Sequence, residues 1–339
     1  MLRLYKPITD DIFKLQEYLE YLVSAIWCGE QKEECDKYLD VNLKPLFDKY
    51  EWFRNEIKTI YEECKNLSVD DKKKIIDTFK ALKNISEVCE GNIIPLKIKQ
   101  LPIVVEELIK PFFVKCYESL LERSLVPGDK LQYYNSIIKE NKYKFCPCCG
   151  YVSFESAESN YREAYDHYLP KAEYPFASVN FFNLVPLCYK CNSDRKSTKN
   201  PVNGRKAYYP FSLNPETHIV DIQVKFSHIK VKDYDNFEKK ELQIELLGDD
   251  EKCNTWDDVF DIKERYFDEV KSFSKNLLKE MKKRWKGYKD EGINKSYVDI
   301  IDREIDLMMD DKYDDRKFLK IAFLQEVKNC NDIVEVYSL

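Results

Sequence analysis

The chain has 339 residues, a formal net charge of −6, 44% hydrophobic and 34% charged residues, and only 8 glycines. This length exceeds what one core usually fills, so two or three packed modules are expected; the composition excludes a disordered chain and favours a predominantly helical α+β protein. No stretch approaches 18 consecutive apolar residues and the opening MLRLYKPITDD turns charged at once, which argues against a membrane span or signal peptide and for the cytoplasm.

In chain order, Thr9 is expected to cap a helix over residues 9–28, with Asp10 and Asp11 favoured by the dipole of its first turn. Ile12, Leu15, Leu19, Leu22, Val23 and Ile26 form its apolar face and Gly29 stops it. Residues 34–66 predict one or two further helices interrupted near Pro45. Ser68 reads as the cap of the next helix, which carries Ile75, Ile76, Phe79 and Leu82. The two prolines of GNIIPLKIKQLP make residues 91–102 an extended connector. Helices resume over 103–123 and, after Pro127-Gly128-Asp129, over 130–139. Residues 1–140 thus read as a helical domain without a chemical motif. Its leucines and aromatics are expected in a core, with dimerisation or partner binding as an unsupported alternative.

Past the central stretch, Val220, Ile222, Val224 and Phe226 alternate with polar residues, as do Leu242, Ile244 and Leu246. Two half-buried strands follow, joined by a polar loop around 233–238. His218 and His228 fall in or beside these strands and read as ordinary positions. Val259 to Trp285 trace one helical face until Gly287 and Gly292, with shorter helices expected over 297–309 and 316–327. The KEMKKRWK run, 279–286, reads as a solvated helix face, with a second basic contact as the alternative. This tail, 213–339, is a hairpin plus helical domain.

The central module, 141–212, holds the chemistry. It carries ten basic residues (Lys142, Lys144, Arg162, Lys171, Lys190, Arg195, Lys196, Lys199, Arg205, Lys206) and six acidic ones, a positive patch on an otherwise acidic chain. Such a patch suits contact with phosphates, although an ordinary solvated face has the same composition. Of 12 cysteines, Cys28, Cys64, Cys89 and Cys116 stand alone and read as small core residues. Cys146-Pro-Cys-Cys149-Gly and Cys188-Tyr-Lys-Cys191 are different, because two C-x-x-C knuckles can grip one tetrahedral Zn²⁺. The spacing favours Cys146 over Cys148. Four thiolates leave no open position, so this zinc is expected to be structural. Val152 and Phe154 suggest a short strand, and 165–169 a second one carrying His167; the residues after Cys191 are expected to form a short helix packed across that ribbon.

FCPCCG, YDHYLPK and NLVPLCYKCNSDRKS together resemble the HNH family of zinc-stapled ββα-metal nucleases, in an H-N-N form. The match covers about 70 residues. The resemblance implies His167 as general base, and Asp166 with the side-chain oxygen of Asn192 as ligands of one catalytic Mg²⁺ or Mn²⁺. It also implies Asn183 as the residue that ties down the loop and directs the imidazole, and Arg195 and Lys196 as phosphate contacts. These roles are chemically sound: imidazole titrates near neutrality and hard oxygen ligands suit hard ions. The implied reaction is hydrolysis of a phosphodiester to a 5′ phosphate and 3′ hydroxyl. The wider layout looks like HNH proteins of bacterial defence systems, some of which act beside an ATPase. DNA is the expected substrate. RNA cleavage and a non-catalytic zinc module that binds nucleic acid or protein stay open, and Asn183 or Asn192 could instead merely cap a turn or a helix.

Overall fold

A computed structural model describes residues 1–30, 32–215, 219–227 and 237–338. The architecture is predominantly helical α+β with two small antiparallel ribbons. The chain divides into two compact units: Arg3–Tyr143 with Phe154–Pro215, and Lys144–Ser153 with Glu216–Leu339. Residues 1–140 and most of 141–212 therefore share the first unit. Among the described residues no helix is long and apolar enough to cross a membrane. His218, His228 and most of the 233–238 loop lie outside the described residues.

The first unit opens with a single 3₁₀ turn, Asp11–Phe13, leading into α1 (Lys14–Tyr21), which continues in wider π form through Trp27. Asp10, not Thr9, caps it, accepting from Ile12 N at 2.9 Å. Pro45 does not interrupt a helix but starts α2 (Lys44–Lys49), where its missing N–H costs nothing; the break falls at Tyr50, before α3 (Glu51–Lys65). Ser68 caps α4 (Val69–Ala81) as expected, and α5 (Ile85–Cys89) follows. The connector holds one 3₁₀ turn, Ile98–Gln100. Val105–Ile109 is π-helical and runs into α6 (Lys110–Glu118); α7 (Lys130–Asn141) is capped by Asp129.

These helices bury Trp27, Phe53, Phe79, Phe112 and Phe113. Phe53 stacks on Phe112 at 5.3 Å, and Phe79 and Phe113 close on Phe176 at 5.3 and 5.4 Å. The solitary cysteines Cys28, Cys64, Cys89 and Cys116 are buried among them.

The ribbon of this unit pairs β1 (Tyr165–His167) with β2 (Leu184–Pro186), with Asp166 opposite Val185 and His167 opposite Leu184. The strand expected at Val152 and Phe154 does not form, and β1 takes its partner from after the loop instead. Ser153 makes only an isolated bridge to Phe145, of which the bond from Cys146 N to Val152 O at 2.8 Å is a rung. Strands of three residues are too short to stand alone. Tyrosine hydroxyls brace the segment: Tyr5 donates to Pro186 O at 2.9 Å, Tyr165 to Lys130 O at 2.8 Å and Tyr168 to Tyr208 O at 2.6 Å. The short helix expected after Cys191 is present as a π-helix, Lys190–Lys196, stopped by Ser197 at φ 47°.

In the second unit, β3 (Val220–Phe226) pairs with β4 (Leu242–Gly248) over the expected alternating residues. The long tail helix is in fact two, α8 (Asp250–Phe260) and α9 (Ile262–Asp290), divided at Asp261 with φ 53°. Gly287 stays within α9, whereas Gly292 lies just past its end. Met281 and Trp285 point inward and Lys279, Lys283 and Lys286 outward, the solvated face expected. The unit ends with α10 (Tyr297–Met309), α11 (Lys317–Asn329) and an unanticipated α12 (Asn331–Ser338).

Its knuckle, Cys146–Gly150, is held by α9: Tyr266 donates to Cys149 O at 3.1 Å and Arg265 Nε to Tyr151 Oη at 2.9 Å. Gly150 takes φ 77°, and a Cβ there would sit 2.3 Å from Leu2 Cδ2 and 2.9 Å from the Phe318 ring. Gly150→Ala therefore meets both backbone strain and overpacking. It should lower stability by about 2–4 kcal/mol in urea unfolding; a midpoint equal to wild type would refute the packing described.

Candidate metal centre and His167 site

Cys146, Cys149, Cys188 and Cys191 are all buried, and their sulfurs lie within 4.8 Å of one another. A soft four-thiol set of this size can hold a metal ion such as Zn²⁺. Cys191 N donates to Cys188 O at 2.9 Å and Gly150 N to Cys146 O at 2.7 Å, the tight turns that aim each pair of sulfurs one way. Cys148 is buried as well but lies outside the group, as the spacing predicts.

β1 carries Asp166 and His167 side by side. Asp166 is 2% exposed and faces the π-helix, whose last residue, Lys196, is 1% exposed. Lys196 Nζ lies 3.0 Å from Asp166 Oδ1 and donates to His167 O at 2.7 Å. Lys196 is thus an internal counter-ion rather than the outward phosphate contact expected of it. Burial raises the Asp166 pKa, and Lys196 opposes that shift by charge and hydrogen bond. Among the described residues Asp166 Oδ2 finds no hydrogen-bond partner.

His167 is half-buried, with Nε2 3.1 Å from Ser178 O. A carbonyl can only accept, so Nε2 bears the proton and Nδ1 keeps the lone pair. Burial, followed by Lys171 and then Lys196 and Lys130, pushes the imidazole pKa down to about 3, against the weaker upward pull of the Ser178 carbonyl. At neutral pH the ring is uncharged.

Asn183 is fully buried and uses its whole amide. Its Oδ1 accepts from Leu169 N at 2.7 Å, and its Nδ2 donates to Leu169 O and Ala177 O, each at 3.1 Å. It ties the loop, as the resemblance implies, and reaches the imidazole only indirectly, because Ala177 precedes the carbonyl that orients His167. Asn192 is half-buried on the π-helix with Nδ2 3.5 Å from Ala164 O, and Arg195 is exposed on the same helix.

Three participants carry no sequence signal. Ser178 contributes through its backbone. Tyr117 of α6 stands edge-on to His167, ring centroids 4.5 Å apart, and Lys130 of α7 lies beside Tyr117. Only the folded chain brings helices so far upstream to the ribbon.

No family model and no solved structure matches the chain. It is similar to Protein ea31 of Escherichia phage lambda, 35% identical over 110 residues, covering 32% of this chain and 34% of that protein. The chain therefore spans about a third of the length of this relative.

Two outcomes follow from this geometry. Metal analysis of purified protein should find about one zinc per chain, kept in Cys148→Ser and lost in Cys191→Ser; the reverse pattern would place the metal elsewhere. Asn183→Ala, which strands three buried backbone groups, should cost roughly 3 kcal/mol in urea unfolding, and a loss below about 1 kcal/mol would show the loop to be held by other contacts.

Proposed function

We propose that the protein is a metal-dependent HNH-type endonuclease that hydrolyses phosphodiester bonds in DNA, leaving 5′ phosphate and 3′ hydroxyl ends, and that it serves in antiphage defence. The observation that carries the reading is a neutral His167 with its Nε2 proton committed to Ser178 O, on a ribbon crossed by a short helix and next to a buried carboxylate. The site's structural ion, in this reading, is Zn²⁺ held by Cys146, Cys149, Cys188 and Cys191.

In this mechanism Nδ1 of His167 takes the proton from the water that attacks phosphorus. The lysines around the ring weaken it as a base, and the negative charge of an arriving phosphodiester opposes their field and returns basicity where it is needed. Asp166 and Asn192 would hold Mg²⁺ or Mn²⁺; the unpartnered Asp166 Oδ2 and the amide oxygen of Asn192 are hard donors that fit such an ion. When bound, the ion supplies charge stabilisation for the leaving 3′ oxygen. Lys196 opposes the burial that raises the Asp166 pKa, and Asn183 keeps the Ser178 carbonyl in place through Ala177. Arg195, exposed on the π-helix, would meet phosphate oxygens. A DNA partner fits the local positive patch, and a regulatory ATPase or other defence partner fits the wider sequence layout.

The decisive experiment is cleavage of plasmid, linear duplex, single-stranded DNA and tRNA by wild type and His167→Ala, with Mg²⁺, Mn²⁺ or EDTA. We expect divalent-dependent nicking or cutting of DNA that falls at least about 100-fold in the variant. Cutting confined to tRNA would make it a ribonuclease. Binding without cutting would make it a zinc module that recognises nucleic acid.

A further inference from the structure

The charges around His167 are unequal in depth. Lys196 is 1% exposed, and the Lys130 side chain is 7% exposed, its Nζ donating to Tyr117 O at 3.2 Å and paired with Glu122. Among the described residues of this cluster, Asp166 is the only carboxylate of comparable burial. Glu118 and Glu122, which face Lys171 and Lys130, have side chains more than half exposed and can swing into water. The interior beside the imidazole therefore holds two fixed cations against one fixed anion, a field that favours an anionic ligand.

Of the three lysines whose charge bears on the imidazole, Lys171 is the one that reaches solvent. Lys171, four residues past His167, has a side chain 33% exposed. Its Nζ lies 5.6 Å from the centroid of the Tyr117 ring and 2.8 Å from Glu118 Oε1. An exposed pair of this kind holds little free energy, so Glu118 can be exchanged for another anion. Tyr117 sits between Lys171 and Lys130 with its ring edge-on to the imidazole, 4.5 Å between centroids. With Nε2 pinned at Ser178 O, that ring is the second contact that fixes the imidazole plane.

We propose that Lys171 is the cation that receives a substrate phosphate beside His167, and that the helical leader completes the site through Tyr117 of α6, the positioning residue that holds the imidazole for it. This deepens the nuclease reading and rests on it for the role of Tyr117, whereas the phosphate contact at Lys171 is testable by binding alone. The ligand class is a nucleic-acid phosphodiester, met through its phosphate oxygens rather than its bases.

The test has two arms. In EDTA, fluorescence anisotropy of a labelled 20-base-pair DNA duplex is followed against salt for wild type and Lys171→Gln. The variant should bind about tenfold more weakly, and the slope of log Kd against log salt should fall by about one. Unchanged affinity and slope would overturn the assignment of Lys171, whether or not the protein cuts. In the second arm, with Mg²⁺ or Mn²⁺, steady-state cleavage is measured for Tyr117→Phe, which keeps the ring, and for Tyr117→Leu and Tyr117→Met, which remove it. Both ring-less variants should lose about tenfold in kcat at unchanged KM, with Tyr117→Phe close to wild type. If Tyr117→Leu does not fold, Tyr117→Met carries the comparison. Equal kcat in Tyr117→Met and wild type, or a loss in Tyr117→Phe as large as in Tyr117→Met, would overturn the positioning role. A wild-type protein that binds the duplex through Lys171 but cuts nothing would sink the nuclease reading and the Tyr117 role together, and leave the phosphate site standing.

Discussion

The site depends on one buried amide. The chain leaves β1 after His167, makes a tight excursion through Pro170 and Phe176, and returns as β2 at Leu184, so the backbone of a long loop is taken out of water. Each buried N–H or C=O left without a partner there costs about 1–3 kcal/mol. Asn183 satisfies three of them at once, at Leu169 N, Leu169 O and Ala177 O. Its own carbonyl accepts from Tyr168 N at 2.9 Å and so extends the ribbon by one rung. Neither aspartate nor glutamine can replace it in kind, since aspartate lacks the donor and glutamine is one methylene too long.

The second constraint is the Asp166–Lys196 pair. Two buried charges lose their hydration, and their attraction repays this only when geometry and further hydrogen bonds are good. Lys196 meets that condition in part by also donating to His167 O. The pair is therefore better understood as a registration device than as a source of stability: it sets which turn of the π-helix lies against β1, and hence where Asn192 and Arg195 stand. The abrupt end at Ser197, in a left-handed backbone conformation that costs a non-glycine residue energy, keeps Lys196 as the last helical residue.

What could be read from the chain divides along physical lines. Period-two alternation gave both strands of the second unit, and the amphipathic faces and the Ser68 cap gave most helices, because those signals are local. Spacing alone likewise paired the four cysteines and left Cys148 out. The sequence could not show that β1 pairs with Leu184–Pro186 instead of the stretch near Val152, because a three-residue strand has almost no periodicity and its partner is chosen by the loop between them. π-Helical winding at Leu22–Trp27, Val105–Ile109 and Lys190–Lys196 has no compositional mark either. Lys196 illustrates the limit most clearly: a lysine in a basic, polar run reads as surface, and only the carboxylate opposite explains its burial.

The helical leader was silent to motif reading, yet the loop that orients His167 rests on it. Gln16 Nε2 donates to Phe176 O at 3.1 Å, Asn180 Nδ2 donates to Leu82 O at 3.1 Å, and the rings of Phe79 and Phe113 hold Phe176 from either side. These contacts reach both flanks of Ser178, whose carbonyl decides which imidazole nitrogen keeps its lone pair. A central stretch of about 70 residues cut free of the leader would retain every residue of the motif and lose the supports that make one tautomer of His167 preferred. The chemistry is written in a few residues near the middle of the chain, but the orientation that chemistry needs is stored in the packing of the upstream helices.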